Sequence, residues 1–227
     1  MSIEWGVPPR RRDLILGDDL GQQHDYSALV VADRHREADP VSYDVGHIER
    51  FALGTRYPVI VEQLRARINA LDVPAVERGP RPNLALVVDQ TGCGRPVIDM
   101  ILAADLGIPV NPVTITSGTA TTQADDGWHV AKQTLASVVQ VVLQSGRLRI
   151  SSRLPNASEL TNELRGFRAK IKLNGNVNFA AGEDWRSAPH DDLVLALALS
   201  LWWGENEPAG WADLAAETDL GAFFSFR

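Results

Sequence analysis

The chain has 227 residues, 44% hydrophobic and 22% charged, enough apolar side chain for one sizeable core and too much for a disordered protein. Its single cysteine, Cys93, excludes an intrachain disulfide and a cysteine zinc cluster and fits a reducing, cytoplasmic setting. A net charge of −7 argues against attraction of the whole surface to nucleic acid, no apolar run reaches the length of a membrane span, and residues 1–12 contain no secretory apolar stretch.

Residues 1–12, ending Arg10-Arg11-Arg12, read as a flexible arm. Residues 13–19 and 26–33 read as strands separated by a polar turn, and 41–53 supply a third; their close succession implies an antiparallel meander. Pro58 suits a first helical turn, and 59–71 carry apolar residues at helical spacing. Pro80 and Pro82 mark a loop before 84–89, a continuous apolar run of the kind buried on both faces of a sheet. Gly92 and Gly94 turn the chain into a helix over 97–106, and 110–115 return as a strand. A meander followed by alternating strand and helix predicts a mixed sheet with helices on its faces.

Residues 116–126 form a polar linker, followed by a helix over 130–145 that Gly146 ends. A short extended segment over 148–151 and a helix over 155–166 come next. Asn174-Gly175 between two extended runs predicts a β-hairpin over 168–181. The helix over 191–203 is apolar on almost every face and must be buried. Residues 205–210 read as a linker. The acidic tail 211–227 ends in Phe223, Phe224 and Phe226, which either fold back on the core or dock on a partner.

Three acidic stations lie at the ends of these buried elements. Asp18 and Asp19 close the first strand; alternation puts them on opposite faces, and the Gly-x-Asp-x-Gly frame favours Asp19 for a site. Asp25 is either an auxiliary acid or a turn residue. Asp89 ends the fourth strand. Asp191 and Asp192 open the last helix, where one aspartate can cap and the other ligate; spacing from His190 favours Asp192 as the ligand. His190 could bind metal, move a proton, or cover the helix start.

Gathering like charges costs energy, and a pair of divalent cations removes that cost. An oxygen-only donor set suits Mg²⁺ or Mn²⁺, and two such ions are suited to phosphodiester hydrolysis. Competing chemistries lack their motifs. The chain holds no P-loop, no dinucleotide-binding Gly-x-Gly-x-x-Gly, no zinc-spaced histidines and no Gly-x-Ser-x-Gly elbow. Between 147 and 172 stand Arg147, Arg149, Arg153, Arg165, Arg168, Lys170 and Lys172 against only Glu159 and Glu163, which leaves −12 on the rest. This stretch is either a DNA-facing surface or a solvated charged face. Arg165, Arg168, Lys170 and Lys172, on or beside the expected hairpin, are the DNA-binding candidates.

The order Gly17-Asp18-Asp19-Leu20-Gly21, Asp25-Tyr26-Ser27-Ala28, Val87-Val88-Asp89-Gln90-Thr91-Gly92 begins a recognisable series. It continues through Trp128-His129-Val130-Ala131-Lys132, Gly146-Arg147-Leu148-Arg149-Ile150, Glu163-Leu164 and His190-Asp191-Asp192-Leu193. From Leu14 to Trp203 the chain thereby resembles the C-terminal nuclease domain of phage terminase large subunits. The resemblance implies a ribonuclease H-like α/β fold over 13–204, a mixed central sheet flanked by helices with an accessory β-hairpin beside the site. It implies that Asp19, Asp89 and one or both of Asp191 and Asp192 hold two Mg²⁺ or Mn²⁺ ions. The implied activity is endonucleolytic cutting of concatemeric viral DNA during packaging, in the host cytoplasm. The implied partners are double-stranded DNA and, since the chain has no P-loop, a separate packaging ATPase and a portal protein. Two other readings use similar signals: a Holliday-junction resolvase or transposase-like nuclease on the same core, and an actin-like ATP-binding module, whose first strand also carries Asp-x-Gly. A nuclease-dead DNA-binding or docking module is a fourth.

Overall fold

The computed structural model describes residues 11–21, 25–71, 82–174 and 190–206, with side chains described for all of these except 168–174. Strands β1 (Asp13–Asp19), β2 (Ala28–His35) and β3 (Ser42–Arg50) form an antiparallel meander. Helix α1 (Tyr57–Leu71) leads to β4 (Asn83–Asp89), which lies parallel to β1, and α2 (Arg95–Ala103) leads to β5 (Val110–Thr116), parallel to β4. Then follow β6 (Thr122–Ala124), β7 (Gly127–Ala131), α3 (Lys132–Gln144), β8 (Leu148–Ile150), α4 (Ala157–Asn174) and α5 (Asp192–Asn206). The eight strands make one mixed sheet in the order β6-β7-β5-β4-β1-β2-β3-β8.

Alternation along the central strands divides the core. Leu14, Leu16, Leu86 and Val88 face Ile60, Leu64 and Ile68 of α1 and Val97, Ile98 and Ile101 of α2. Ile15, Val30 and Val87 face the other way, against α3, α4 and α5. Each such side chain taken wholly out of water contributes ~1.5–3 kcal/mol, so both faces of β1 and β4 are committed to packing. That explains their uninterrupted apolar sequence.

Helix α5 is buried along almost its whole length. It sits close to the sheet because small residues meet there. Ala196, Ser200 and Gly204 recur at four-residue spacing, the spacing of one helix face. A Cβ added at Gly17 of β1 would lie 1.9 Å from the Ala196 carbonyl oxygen, and one added at Gly204 would lie 2.7 Å from the Tyr43 ring. Hydrogen bonding in α5 begins with Leu195 N–H donating to the Asp191 carbonyl (2.8 Å), so Asp191 occupies the capping position and Asp192 the first turn.

Several expectations need correction. The polar stretch 116–126 is not simply a linker, because it contains β6, which pairs with β7 as an edge hairpin. Residues 130 and 131, expected in a helix, end β7 instead. Ile115↔Val130 and Thr116↔Ala131 pairing buries Val130 and Ala131 completely, and that tertiary gain outweighs helix propensity. Residues 168–174 are helical and continue α4, so the first strand of the hairpin expected over 168–181 is not a strand; residues 175–181 lie outside the described set. Alternating apolar residues here fit a helix face as well as a strand. Glu205 and Asn206, expected in a linker, complete α5. Glu205 is held there by Tyr43 Oη (2.7 Å) and by Arg147. Arg12, expected in the arm, pairs with Asp33 at 2.8 Å. Residues 1–10 of the expected arm and the chain from 207 onward lie outside the described residues.

Candidate active site

Asp19 and Asp89 are Cα partners in the parallel β1–β4 register, at the carboxyl ends of neighbouring strands. Both are odd-numbered, like Ile15 and Val87, so they face the side that α5 covers. The close approach of α5 over Gly17 carries Asp192 toward the same place, because Ala196 is one turn further along the helix. Burial is the main cause that pushes the Asp19 carboxyl well above the usual carboxylate range. The negative charges of Asp89, Asp192, Asp191 and Asp18 push it further, in that order. Asp89 and Asp192 are likewise raised, chiefly by burial. Asp19 therefore feels the charges of Asp89, Asp191 and Asp192 from the β4 end and the start of α5, besides that of its chain neighbour Asp18.

Each station has its own support. The Thr91 backbone N–H donates to Asp89 Oδ1 at 2.8 Å, and the Thr91 hydroxyl donates to the same oxygen. Ile115 N–H donates to that hydroxyl at 2.7 Å, which ties the carboxylate's orientation to β5. Lys132, the first residue of α3, places Nζ 3.9 Å from Asp191 Oδ2 and lowers the Asp89 pKa against the effect of burial. Arg50, at the end of β3, lies between Glu163 of α4 and Asp192. It donates to Glu163 Oε1, and its Nε stands 2.9 Å from Asp192 Oδ2 in an ion pair. Glu163 Oε2 in turn accepts the Val194 backbone N–H at 3.1 Å, one of the donors left free at the start of α5. The Tyr26 ring packs beneath the Arg50 guanidinium, 5.2 Å from its centroid, and meets His190 edge-on at 5.0 Å.

The structure thus brings together Asp19, Asp89, Asp191 and Asp192. Asp25 is exposed in the β1–β2 turn. Arg165 is exposed on α4; Arg168, Lys170 and Lys172 lie on the helical backbone beyond it. Of the remaining basic residues, Arg147 is taken up by Glu205 and Arg149 by Asp44, so the positive stretch is partly neutralised. Thr91, Lys132, Arg50 and Glu163 had no assigned role in the sequence reading. Among the described residues no three histidine, cysteine or acidic side chains stand at metal-holding geometry as placed. The donor chemistry nevertheless fits a hard cation: oxygen ligands only, with the Asp19 carboxyl destabilised as an anion by burial and by the charges of its neighbours.

Asp18 turns the other way. It is fully buried, neither oxygen has a hydrogen-bond partner, and burial together with the Asp89 charge raises its pKa to about 8. Between pH 4 and 8 the unfolded chain ionises this group while the folded chain keeps the proton, so its contribution to stability falls as pH rises through that window. Asp18→Val should therefore stabilise the metal-free protein by about 1–3 kcal/mol, with a larger gain at pH 8 than at pH 5. Thermal unfolding in EDTA at the two pH values checks this; an equal loss of stability at both would contradict it.

The family described as Terminase RNaseH-like domain matches residues 75–202. The large terminase nuclease of the thermophilic phage G20c is similar in structure: 23% identity, TM-score 0.51, covering 86% of this chain and 84% of that one. A magnesium-bound structure of the same nuclease gives 21% identity and TM-score 0.53 over 86% and 84% of the two chains. The manganese-soaked human cytomegalovirus terminase nuclease domain gives 14% identity and TM-score 0.51 over 85% and 84%. No curated protein matches the chain.

Proposed function

The chain belongs to the terminase RNaseH-like domain family, and from that premise we propose that it is a metal-dependent DNA endonuclease. The observation that carries the reading is the in-register pair Asp19 and Asp89, facing Asp192 across the α5 N-terminus. Asp19, Asp89 and Asp192 would hold the metal, with Asp191 beside them and Asp25 at most an outer auxiliary. The solved relatives described as magnesium-bound and manganese-soaked support a divalent cation of that kind. A pair of such ions held by these carboxylates would supply activation of the attacking water and stabilisation of the leaving oxygen.

The chain's own residues do the rest. Thr91 fixes which Asp89 oxygen is turned inward, because the other accepts two hydrogen bonds. Burial by α5 limits water around the acids and strengthens every charge interaction among them. Lys132 offers a positive charge beside Asp89 and Asp191, on the side where a phosphate could be neutralised. The substrate in this reading is concatemeric viral DNA in the host cytoplasm, cut during packaging, with the packaging ATPase and the portal as partners. Among the described residues no helix is long and apolar enough to cross a membrane.

Supercoiled plasmid tests the reading. The purified chain should nick or linearise it with Mg²⁺ or Mn²⁺ and leave it intact in EDTA. Cleavage that persists in EDTA, or ATP binding with no cleavage in either metal, would contradict it.

DNA contact is a separate expectation. Arg165, Arg168, Lys170 and Lys172 are proposed to follow the phosphate backbone from α4, giving sequence-independent affinity. Removing charge at Arg165 and Arg168 together should weaken binding and reduce the salt slope by about 2, close to 0.9 per lost phosphate contact. Binding measured across a salt series decides it; an unchanged slope would move the DNA track to Arg10, Arg11 and Arg12.

A further inference from the structure

Arg50 is an unusual neighbour for a site expected to attract cations. It is a strand-end arginine, 18% exposed, with a side chain committed to two acids that are each less than 10% exposed, Glu163 and Asp192. Its Nε stands 2.9 Å from Asp192 Oδ2 in an ion pair, and Glu163 receives a hydrogen bond from it. Glu163 is anchored independently by the Val194 N–H, and Tyr26 supports the guanidinium from its face. Three elements, β3, α4 and α5, therefore hold a fixed positive charge against the third acidic station. Asp192 Oδ2 stands 2.9 Å from the Arg50 Nε of that charge.

We propose that Arg50 is a positioning residue that acts as a resident counter-cation. It neutralises Asp192 before metal arrives and competes with the metal for that carboxylate. The inference rests on the metal-site reading above. Without such a charge, the acids of α5 and the sheet ends would repel one another in the metal-free protein. With it, the site stays assembled, and metal affinity is set lower than the carboxylates alone would give. Loading then requires Asp192 to be shared with, or released by, the guanidinium.

The test is a calorimetric Mn²⁺ titration and a pair of melting curves, in EDTA and in Mn²⁺, on the full chain and on Arg50→Gln and Arg50→Lys. Wild type should bind Mn²⁺. Arg50→Gln should melt lower in EDTA, show a larger Mn²⁺-induced rise in melting temperature, and bind Mn²⁺ about tenfold tighter. That is the direction expected when a positive charge a few ångströms from a dication is removed. Arg50→Lys should restore wild-type Mn²⁺ affinity because it keeps the charge. If Arg50→Gln is unfolded in EDTA, Mn²⁺ should restore its folded signal. Unchanged or weaker Mn²⁺ binding in Arg50→Gln, a lysine variant that behaves like the glutamine one, or failure of Mn²⁺ to rescue folding would each overturn the proposal. Those outcomes leave the site reading standing if wild type still binds. A wild type that binds no Mn²⁺ would instead remove the metal-site reading and this inference with it.

Discussion

Asp89→Asn should abolish plasmid cleavage while leaving the metal-free fold at least as stable as wild type. The expected loss is about 10³-fold or more, because several kcal/mol of transition-state charge stabilisation disappears at roughly 1.4 kcal/mol per tenfold in rate. Stability moves the other way for a physical reason. Asp89 is buried, its pKa is raised by that burial, and its charge acts on Asp19 and Asp18. The amide removes a charge that the fold disfavours, yet its oxygen can still accept from the Thr91 N–H and hydroxyl. Above pH 4 the unfolded chain would ionise Asp89 more readily than the folded chain, so this position costs wild type stability as pH rises through the raised pKa, and Asn removes that contribution. Asp25→Asn is the control, since Asp25 is exposed in the β1–β2 turn. Initial nicking rates in Mn²⁺ and melting temperatures in EDTA give both readouts. Full activity in Asp89→Asn would end the assignment.

Gly17→Ala should damage the protein severely, since among the described glycines an added Cβ meets its nearest atom most closely there. The added Cβ would lie 1.9 Å from the Ala196 carbonyl oxygen and 2.9 Å from the Ser200 nitrogen, both backbone atoms of a buried helix. Neither can turn aside as a flexible side chain would, so α5 must lift from β1. Overpacking of ordinary side chains costs about 1–3 kcal/mol, and a backbone clash of this depth should cost at least the upper end. Because α5 begins with Asp192, the same displacement moves the third carboxylate; a shift on the order of 1 Å at a catalytic group can cost about 10²-fold in rate. Gly46→Ala in β3 is the matched control, with its nearest neighbour at 3.9 Å. Thermal unfolding should separate the two sharply. A wild-type melting temperature for Gly17→Ala would show that α5 does not approach β1 as described.

The contrast between these residues shows what the sequence made legible. Strand-end carboxylates after apolar runs, and aspartates opening an apolar helix, are local signals, and they led to Asp19, Asp89, Asp191 and Asp192. The meander and the buried β4 were legible for the same reason: period-two and continuous apolar patterns report burial directly. Arg50 gave no such signal. Its hydrogen-bond partner Glu163 is 113 positions away, and a lone arginine at a strand end looks like any solvated charge. Thr91 and Lys132 stood inside quoted motifs, but their roles depend on β5 and α5 arriving nearby. Strand β7 was hidden because Val130 and Ala131 fit a helix start until the β5 edge is there to pair with them. Asp18 was placed on the opposite face from Asp19 by alternation, yet only the packing of α1 and α2 reveals that it is buried without a partner.

Asp19, Asp89 and Asp192 are proposed to converge on a divalent cation. Anomalous diffraction from crystals of the full chain soaked in Mn²⁺ tests that most directly, since it locates the ion without reference to activity. Anomalous peaks should appear within coordination distance of Asp19 and Asp89 oxygens, with Asp192 or Asp191 completing the donor set and Arg50 sharing or releasing Asp192 Oδ2. Peaks confined to other carboxylates, or a fully soaked crystal with no peak between the ends of β1, β4 and α5, would contradict it.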